Sequence, residues 1–524
     1  MRCSYFDYPR FAFRPPRFGG VPVAVVGGGP VGLVAAIELG RRGINTVLLH
    51  AGDTVSEGSR ATCISRRSME ILQQNGAIDR FLAEALPWTH GRTFYRRHLI
   101  YRLAMPHSDD ERYYPIANLQ QNLFEFGLLQ RALELPAIDV RWLSRVVDVR
   151  QDTDGVMLTV QTPEGDYTQR ARYVIAADGA RSCVRDLCKL RLAGESHSGR
   201  YLIADIVMPS TYPTERRAWF DPPSNRHNTV LMHKQARDVW RVDYQLEDGA
   251  DEAYEVQPAR VQARVQAHLD YIGEKTPWRL EWVSLYKAHC LCLDDYRHGR
   301  ILFAGDAAHL VPIFGVRGMN SGIADANNLG WKLAYVLRGV ATDALLDSYS
   351  AERRAATLDI FTNARKSTQF MTPPNGGYRL VRDAVLQLAV SETFAQPLAN
   401  PRQSTAYDYL DSPLNSASDS VDGPQPGAAV ANLALGADRF LLDAVGQDFV
   451  AFAPTAAVAA LESEVSALPD PLTDRIAVRV TERPIGARGD EVFLLRPDGH
   501  LCARWRTDRP IALASALRRA LARH

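Results

Sequence analysis

The run Arg300-Ile-Leu-Phe-Ala-Gly305-Asp306-Ala-Ala-His309-Leu-Val-Pro312-Ile-Phe-Gly315-Val-Arg317-Gly318-Met319-Asn320-Ser-Gly322-Ile-Ala-Asp325-Ala-Asn-Asn-Leu329 decides how the rest of the chain is read. Residues 301–304 are a short apolar run, a buried strand ended by Gly305. A loop with Pro312, Gly315 and Gly318 follows, and Asn320 or Ser321 is placed to cap a helix carrying Ile323, Leu329, Leu333 and Leu337 up to Gly339. Asp306 at the strand's end can accept hydrogen bonds from sugar-like hydroxyls. The glycines allow close backbone approach, and the helix N-terminus offers unpaired N–H groups and partial positive charge. A polyol joined to an electron-rich ring fits that chemistry.

Working outward, residues 21–26 read as a strand, Gly27-Gly28-Gly29-Pro30-Val31-Gly32 as Gly-x-Gly-x-x-Gly, 33–42 as helix and 46–49 as a second strand. In a βαβ setting the glycines permit a tight turn and let a pyrophosphate approach the helix N-terminus, so dinucleotide binding is the natural reading. The apolar stretch 21–39 is nearly long enough for a membrane span, but its central glycines and proline suit strand, turn and helix instead. Three further runs matter: Gly58-Ser-Arg60-Ala-Thr-Cys-Ile-Ser-Arg66-Arg67, Leu119-Gln-Gln121-Asn-Leu-Phe-Glu125 and Ala177-Asp178-Gly179-Ala-Arg181-Ser182.

These runs together resemble the FAD-dependent aromatic monooxygenases related to para-hydroxybenzoate hydroxylase and phenol hydroxylase, over roughly residues 21–365. The resemblance implies an α/β FAD-binding Rossmann-like domain, an antiparallel-sheet substrate domain and a C-terminal thioredoxin-like domain. It places Gly27, Gly29, Pro30 and Gly32 at the FAD pyrophosphate and Asp306, after Gly305, on the ribityl chain. Arg60 and Gln121 would reach FAD, and Asp178 would brace loops linked to nicotinamide use. Pro312 and Gly315 would flank the flavin, with Gly318, Met319 and Asn320 at the helix start beside its ring. Two positions depart from the pattern. The second strand ends in His50 where an acidic residue usually holds the adenosine ribose; either His50 donates to the ribose or Asp53 folds back. Arg317 stands where many relatives have Gln, either shifting how the ring or an acidic substrate is held or pointing to solvent.

Residues 201–208, 217–221, 229–233 and 239–246 read as strands of a mostly antiparallel sheet that, by resemblance, roofs the flavin. Alternation puts Trp240, Val242, Tyr244 and Leu246 on one face and Arg241, Asp243 and Gln245 on the other, and does not say which face meets substrate. Candidates for favouring a phenolate are Arg241, Asp243, Tyr244 and His233, with a surface Arg241–Asp243 ion pair as the bland alternative; Trp278, Trp282 and Tyr286 are candidates for the wall. The expected layout is an N-terminal extension 1–20, an FAD-binding domain 21–190 and 284–365, a substrate domain 191–283, a helical segment and linker 366–427 and the C-terminal domain 428–524. The extension is either docked by its aromatics or disordered. The C-terminal domain has no Cys-x-x-Cys, so its expected role is support or homodimer contact.

A chain of 524 residues exceeds the size of one core, which seldom passes about 250–300 residues. Sixty-one basic against 60 acidic residues leave a formal charge of +1, which argues against nucleic acid as the main partner. Seven scattered cysteines indicate neither a disulfide framework nor a metal site and suit a reducing cytoplasm. The resemblance then implies an NADPH- or NADH-consuming hydroxylase that uses O2, through a flavin hydroperoxide, on a small phenolic or related aromatic substrate. The alternatives are Baeyer–Villiger or decarboxylating oxygenation of a larger ring, or a flavin-bound aromatic-binding protein without turnover. A second Gly-x-Gly-x-x-Gly for the nicotinamide and a halogenase Trp-x-Trp-x-Ile are both missing from the sequence.

Overall fold

The first βαβ unit forms as its pattern dictates. Strand Gly20–Val26 pairs in parallel with Gly165–Ala176 on one side and Thr46–Leu49 on the other. Ile138–Arg141 and Ile301–Phe303 extend the parallel set at its two ends. Strand interiors such as Val23–Ala24–Val25 are wholly buried, as expected of a parallel sheet covered on both faces. An antiparallel meander of Arg145–Gln151 and Val156–Thr162 grows from the long strand Gly165–Ala176. The computed structural model describes residues 3–312, 315–399, 406–418, 422–436, 439–481, 483, 485–486 and 488–523.

Two helices lie against each other over this sheet, Pro30–Gly40 and Gly318–Leu337. Small residues let them approach: a Cβ at Gly330 would come within 2.5 Å of Glu38, and one at Gly322 within 2.5 Å of Val31. The second helix starts at Gly318, earlier than expected, with Arg317 at the N-cap and no side-chain cap. Neither Asn320 nor Ser321 caps it, because the Asn320 side chain is spent elsewhere.

The second sheet has eight strands in the order His309–Leu310, Arg279–Cys292, Ala193–Val207, Val239–Gln245, Thr229–Lys234, Arg216–Phe220, His90–Tyr95 and His98–Ala104. It corrects the expected boundaries at 191 and 284. The last two strands come from the stretch assigned to the FAD-binding domain, and Arg279–Cys292 runs through residue 284. The reason lies in the pairing: Arg216–Phe220 takes His90–Tyr95 as a parallel neighbour, which sequence proximity cannot supply. One face packs on helix Pro258–Ile272, burying Trp240, Val242 and Tyr244 with Val261, Val265 and Leu269.

The C-terminal region holds a four-stranded sheet ordered Ile476–Val480, Phe449–Ala453, Glu491–Leu495, Leu501–Arg506, parallel in its first pair and antiparallel in the other two. Helix Thr455–Ser466 links the parallel pair, and Leu513–Ala520 closes the chain. A buried charge network ties this sheet to the rest. Glu352 accepts from Arg496, at 2.6 and 3.0 Å, from Lys332 at 2.7 Å and from Asn328 at 2.7 Å. Asp498 accepts from Trp331 at 3.0 Å and from Arg496.

The N-terminal extension is docked. Tyr8 Oη accepts from the Gly58 N–H at 3.2 Å and from Asn122 at 2.9 Å, Phe11 stacks on Trp142, and Arg141 donates to the Phe18 carbonyl at 2.9 Å. Among the described residues no helix is long and apolar enough to cross a membrane.

Candidate active site

The carboxyl end of the parallel sheet meets the polar face of the second sheet, and the quoted motifs converge there. Gly27 has φ +110° and a Cβ on it would fall 2.3 Å from the Ala177 carbonyl oxygen; one on Gly32 would fall 1.9 Å from that of Gly27. Those two glycines are demanded by the turn itself. Gly29 differs: a Cβ there meets nothing within 4 Å, and it heads helix Pro30–Gly40 without a side-chain cap. The helix start is therefore an open cradle of N–H groups with Pro30 at its first position, suited to a pyrophosphate.

His50 turns into that loop. Its Nδ1 accepts from the Gly28 N–H at 3.1 Å, a hydrogen bond to the Thr54 backbone engages the ring as well, and burial pushes its pKa down. The neutral ring thus braces the glycine loop, and the expected donation from His50 to a ribose is not what its bonding favours. Asp53 does not fold back either; it pairs with Arg10 of the extension.

Asp178 accepts from the Val184 N–H at 3.1 Å at the start of the short helix Cys183–Leu187, whose N-cap is Ser182, while its other carboxylate oxygen is buried without a partner among the described residues. Beside it, Arg185 bridges the Ala180 and Ala307 carbonyls at 2.8 and 3.2 Å, fixing the Asp-Gly loop to the Gly305 turn. Gly305, at φ +59°, donates its N–H to Asp325 at 2.9 Å. Asp325 also pairs with His309 Nε2 at 2.8 Å and accepts from Arg353 Nε at 2.6 Å; burial pushes its pKa up, but Arg353 and the hydrogen bonds outweigh it and bring it down to about 2. Asp306 opens on the cleft, exposed by area, yet the surrounding protein desolvates it enough to raise its pKa, with His309 and Arg60 opposing.

Arg60 is exposed at φ +42° and near enough to Asp306 and Glu125 to act on both carboxylates. Gln121 begins helix Gln121–Leu133, accepts from the Ala61 N–H at 3.1 Å and donates to Glu125 at 2.7 Å. Pro312 is buried, Gly315 turns at φ +88°, and Gly318 and Met319 open the long helix, Met319 resting on the main core. Asn320 is a brace: it accepts from the Ser65 N–H at 2.9 Å and Ser68 Oγ at 2.7 Å and donates to the Cys63 and Val316 carbonyls, both at 2.9 Å. Arg317 is buried rather than solvated, donating to the Ile360 carbonyl at 3.1 Å.

The two faces of the sheet have different neighbours. Arg241 lies toward the FAD-binding side, donating to Asp243 Oδ1 at 2.8 Å and to the Arg60 carbonyl. The pair is buried, so it is no surface ion pair. Tyr244 is a correction to the candidate set: it points to the opposite face, among the apolar side chains packed on helix Pro258–Ile272, and its hydroxyl has no partner among the described residues. Trp278 is also on that side, bonded to Gln266, whereas Trp282 packs against Gly58 and Tyr286 donates to the Val311 carbonyl at 2.6 Å.

Two residues join the polar face unforeseen. Asp205, opposite Arg241 in register, accepts from Ser59 Oγ at 2.9 Å and Ser59 N–H at 3.2 Å; burial pushes its pKa up to about 7 despite Arg241. Arg216 is 6% exposed, and its Nε and one Nη have no partner among the described residues. His233 stands beside Arg241 in register with an unpartnered Nδ1, kept neutral by burial and by the Arg216 and Arg241 charges. The signal for Asp205 was a lone carboxylate in the apolar run Leu202-Ile-Ala-Asp205-Ile-Val.

A family model described as the FAD binding domain matches residues 20–364. The chain belongs to the FAD binding domain family. Its relatives are class A flavin-dependent aromatic monooxygenases, and FAD is the cofactor this family's cradle takes. The chain is 31% identical over 376 residues to a 3-(3-hydroxy-phenyl)propionate/3-hydroxycinnamic acid hydroxylase of Mycolicibacterium smegmatis, covering 70% of this chain and 64% of that one. It is 31% identical over 380 residues to a para-nitrophenol 4-monooxygenase of a Pseudomonas species, covering 70% and 91%. In structure it is similar to the OxyS anhydrotetracycline hydroxylase from Streptomyces rimosus, with TM-score 0.72 and 26% identity over 96% of this chain and 99% of that one. The match to the first hydroxylase thus spans less than two thirds of its length. The family member described here has the residues the cofactor asks for: an uncapped helix start at Gly29 and a carboxylate at Asp306.

Proposed function

We propose that the protein is an FAD-dependent, NAD(P)H-consuming monooxygenase that hydroxylates a phenolic or related aromatic substrate carrying a negative charge. The observation that carries this reading is the buried polar face, where Arg216 lacks hydrogen-bond partners for two of its nitrogens and sits near the paired Arg241. An unpaired buried guanidinium is costly unless a ligand anion meets it. Reduced by NAD(P)H, FAD would supply the oxygen activation that delivers one oxygen atom to the ring.

The chain's own task is to bind, orient and charge the substrate. Arg216 and Arg241 create a positive field that favours phenolate over phenol, and the same field and burial keep His233 neutral, so that its ring can hydrogen-bond the phenolic oxygen without taking up a proton. Asp243 orients Arg241, and Asp205 holds the Ser59 loop against the sheet. The Asp306 carboxylate and the Gly29 helix start would hold the ribityl and pyrophosphate parts.

A second reading, a larger polycyclic substrate, is favoured by similarity to an anhydrotetracycline hydroxylase over almost the whole chain. The strand order and the parallel first pair of the C-terminal sheet support a thioredoxin-like domain, and with no Cys-x-x-Cys its role is support through the Glu352–Arg496 network. We place the protein in the cytoplasm on its seven scattered cysteines, an odd number with no Cys-x-x-Cys.

The test is oxygen-dependent NADPH and NADH oxidation by FAD-loaded protein across phenols, aromatic acids and polycyclic phenols. Stimulation by an anionic aromatic, with product one oxygen heavier, supports the proposal. Stimulation only by uncharged aromatics contradicts the role given to Arg216.

A further inference from the structure

We propose that the N-terminal extension is part of the FAD site, forming a wall on its adenosine side in place of the missing acidic residue. The inference rests on the FAD cradle and not on the proposed reaction.

Parallel strands Gly20–Val26, Thr46–Leu49 and Ile138–Arg141 end at Gly27, His50 and Trp142. In sheets of this kind the adenosine half of a dinucleotide lies beyond the carboxyl ends, next to the second strand. The usual ribose acceptor is absent there, since His50 is engaged with Gly28 and with the Thr54 backbone. The extension arrives at this place. Phe11 stacks on Trp142 with ring centroids 4.4 Å apart and planes 12° from parallel. Trp142 in turn meets His50 edge-on at 5.1 Å. The Phe11 N–H donates to the Asp53 carbonyl at 2.8 Å, and Arg10 pairs with the Asp53 carboxylate.

The same segment fixes the chain that follows His50. Tyr8 receives the Gly58 N–H, two residues before Arg60, and Ser4 reaches Glu281 on the second sheet. Residues 4–11 therefore run from the substrate sheet, past the loop carrying Ser59 and Arg60, to the end of the second strand. Removing the extension would free the 50–60 loop at Asp53 and at Gly58 together. A wall of aromatic rings beside an adenine offers stacking and water exclusion in place of the hydrogen bond that a carboxylate would give the ribose.

The experiment titrates apoprotein with FAD, followed by flavin fluorescence, and records the apoprotein melting temperature. The variants are Phe11→Leu, which keeps apolar bulk without the ring, and Phe11→Trp, which keeps the ring. The proposal expects Phe11→Leu to weaken FAD roughly three- to tenfold while its apoprotein stays folded at the titration temperature, and Phe11→Trp to bind as the parent does. It is overturned if Phe11→Leu binds FAD as tightly as the parent or more tightly. An equal loss of affinity in Phe11→Trp, which keeps the ring, also overturns it, since an aromatic face would then not be what the cofactor meets.

Discussion

His233 and Arg241 are register partners on neighbouring antiparallel strands, so a neutral imidazole and a guanidinium stand side by side on the face turned to the FAD-binding domain. Arg216 stands near enough to add its charge to that of Arg241 in holding His233 neutral, and Arg241 alone of the two has its carboxylate. The asymmetry leaves one cation for a ligand.

Replacing Arg216 by Met should therefore separate stability from binding. Removing a buried charge without partners should raise apoprotein stability by about 1–3 kcal/mol. The KM for an anionic aromatic should rise roughly 10- to 100-fold, the worth of a charge-assisted hydrogen bond. Denaturant unfolding and steady-state kinetics check both halves; a destabilised variant with unchanged KM would make Arg216 a structural residue.

Asp205 predicts a pH dependence of stability. Its folded pKa of about 7 lies above the ordinary 3.8, so the fold favours the neutral acid. That stabilisation is full below about pH 4 and is lost as pH rises through about 7, a change of about 4 kcal/mol. Asp205→Asn should stay neutral throughout. The difference in unfolding free energy between parent and variant should move in the variant's favour between pH 4 and pH 8; a difference that stays level places the carboxyl's titration outside that range.

Gly32→Ala should weaken FAD binding strongly. Its Cβ would sit 1.9 Å from the Gly27 carbonyl oxygen, so the loop must move and its N–H groups lose their common aim. An affinity loss of at least tenfold is expected in a fluorescence titration. Gly29→Ala, whose Cβ meets nothing in the protein, should leave apoprotein stability unchanged within about 0.5 kcal/mol while crowding the cofactor.

Arg496→Met leaves Glu352 and Asp498 without their shared guanidinium, with Lys332 the remaining cation on Glu352. Breaking a buried network in this way should cost about 3–5 kcal/mol. Glu352 is held well below the usual carboxylate range by Arg496 and Lys332, against burial, so the loss should be larger at pH 7 than at low pH. Thermal unfolding across that range measures it.

Much of the FAD side was legible because its residues are demanded locally. Gly27 and Gly32 follow from a turn in which no Cβ fits, and the strands around them are continuous apolar runs. The polar face was only half legible. Alternation sorted Arg241 and Asp243 from Trp240 and Tyr244, but which set turned to the FAD-binding domain depended on helix Pro258–Ile272 covering the other face. The hairpin His90–Tyr95 and His98–Ala104 was missed as part of the second sheet because it joins through Arg216–Phe220, more than a hundred residues away. Arg216 was passed over beside Arg217, although alternation sends the two to opposite faces. His50 misled for another reason: its bond to Gly28 belongs to the folded loop, not to any spacing.

The most direct test of the account is turnover of FAD-loaded protein with NAD(P)H and an anionic phenol under oxygen-18 gas, with the product's mass recorded. The account predicts incorporation of one oxygen-18 atom into the ring, with nicotinamide consumed one for one and little peroxide. Nicotinamide consumed entirely into peroxide for every aromatic tried, with no labelled product, would contradict it.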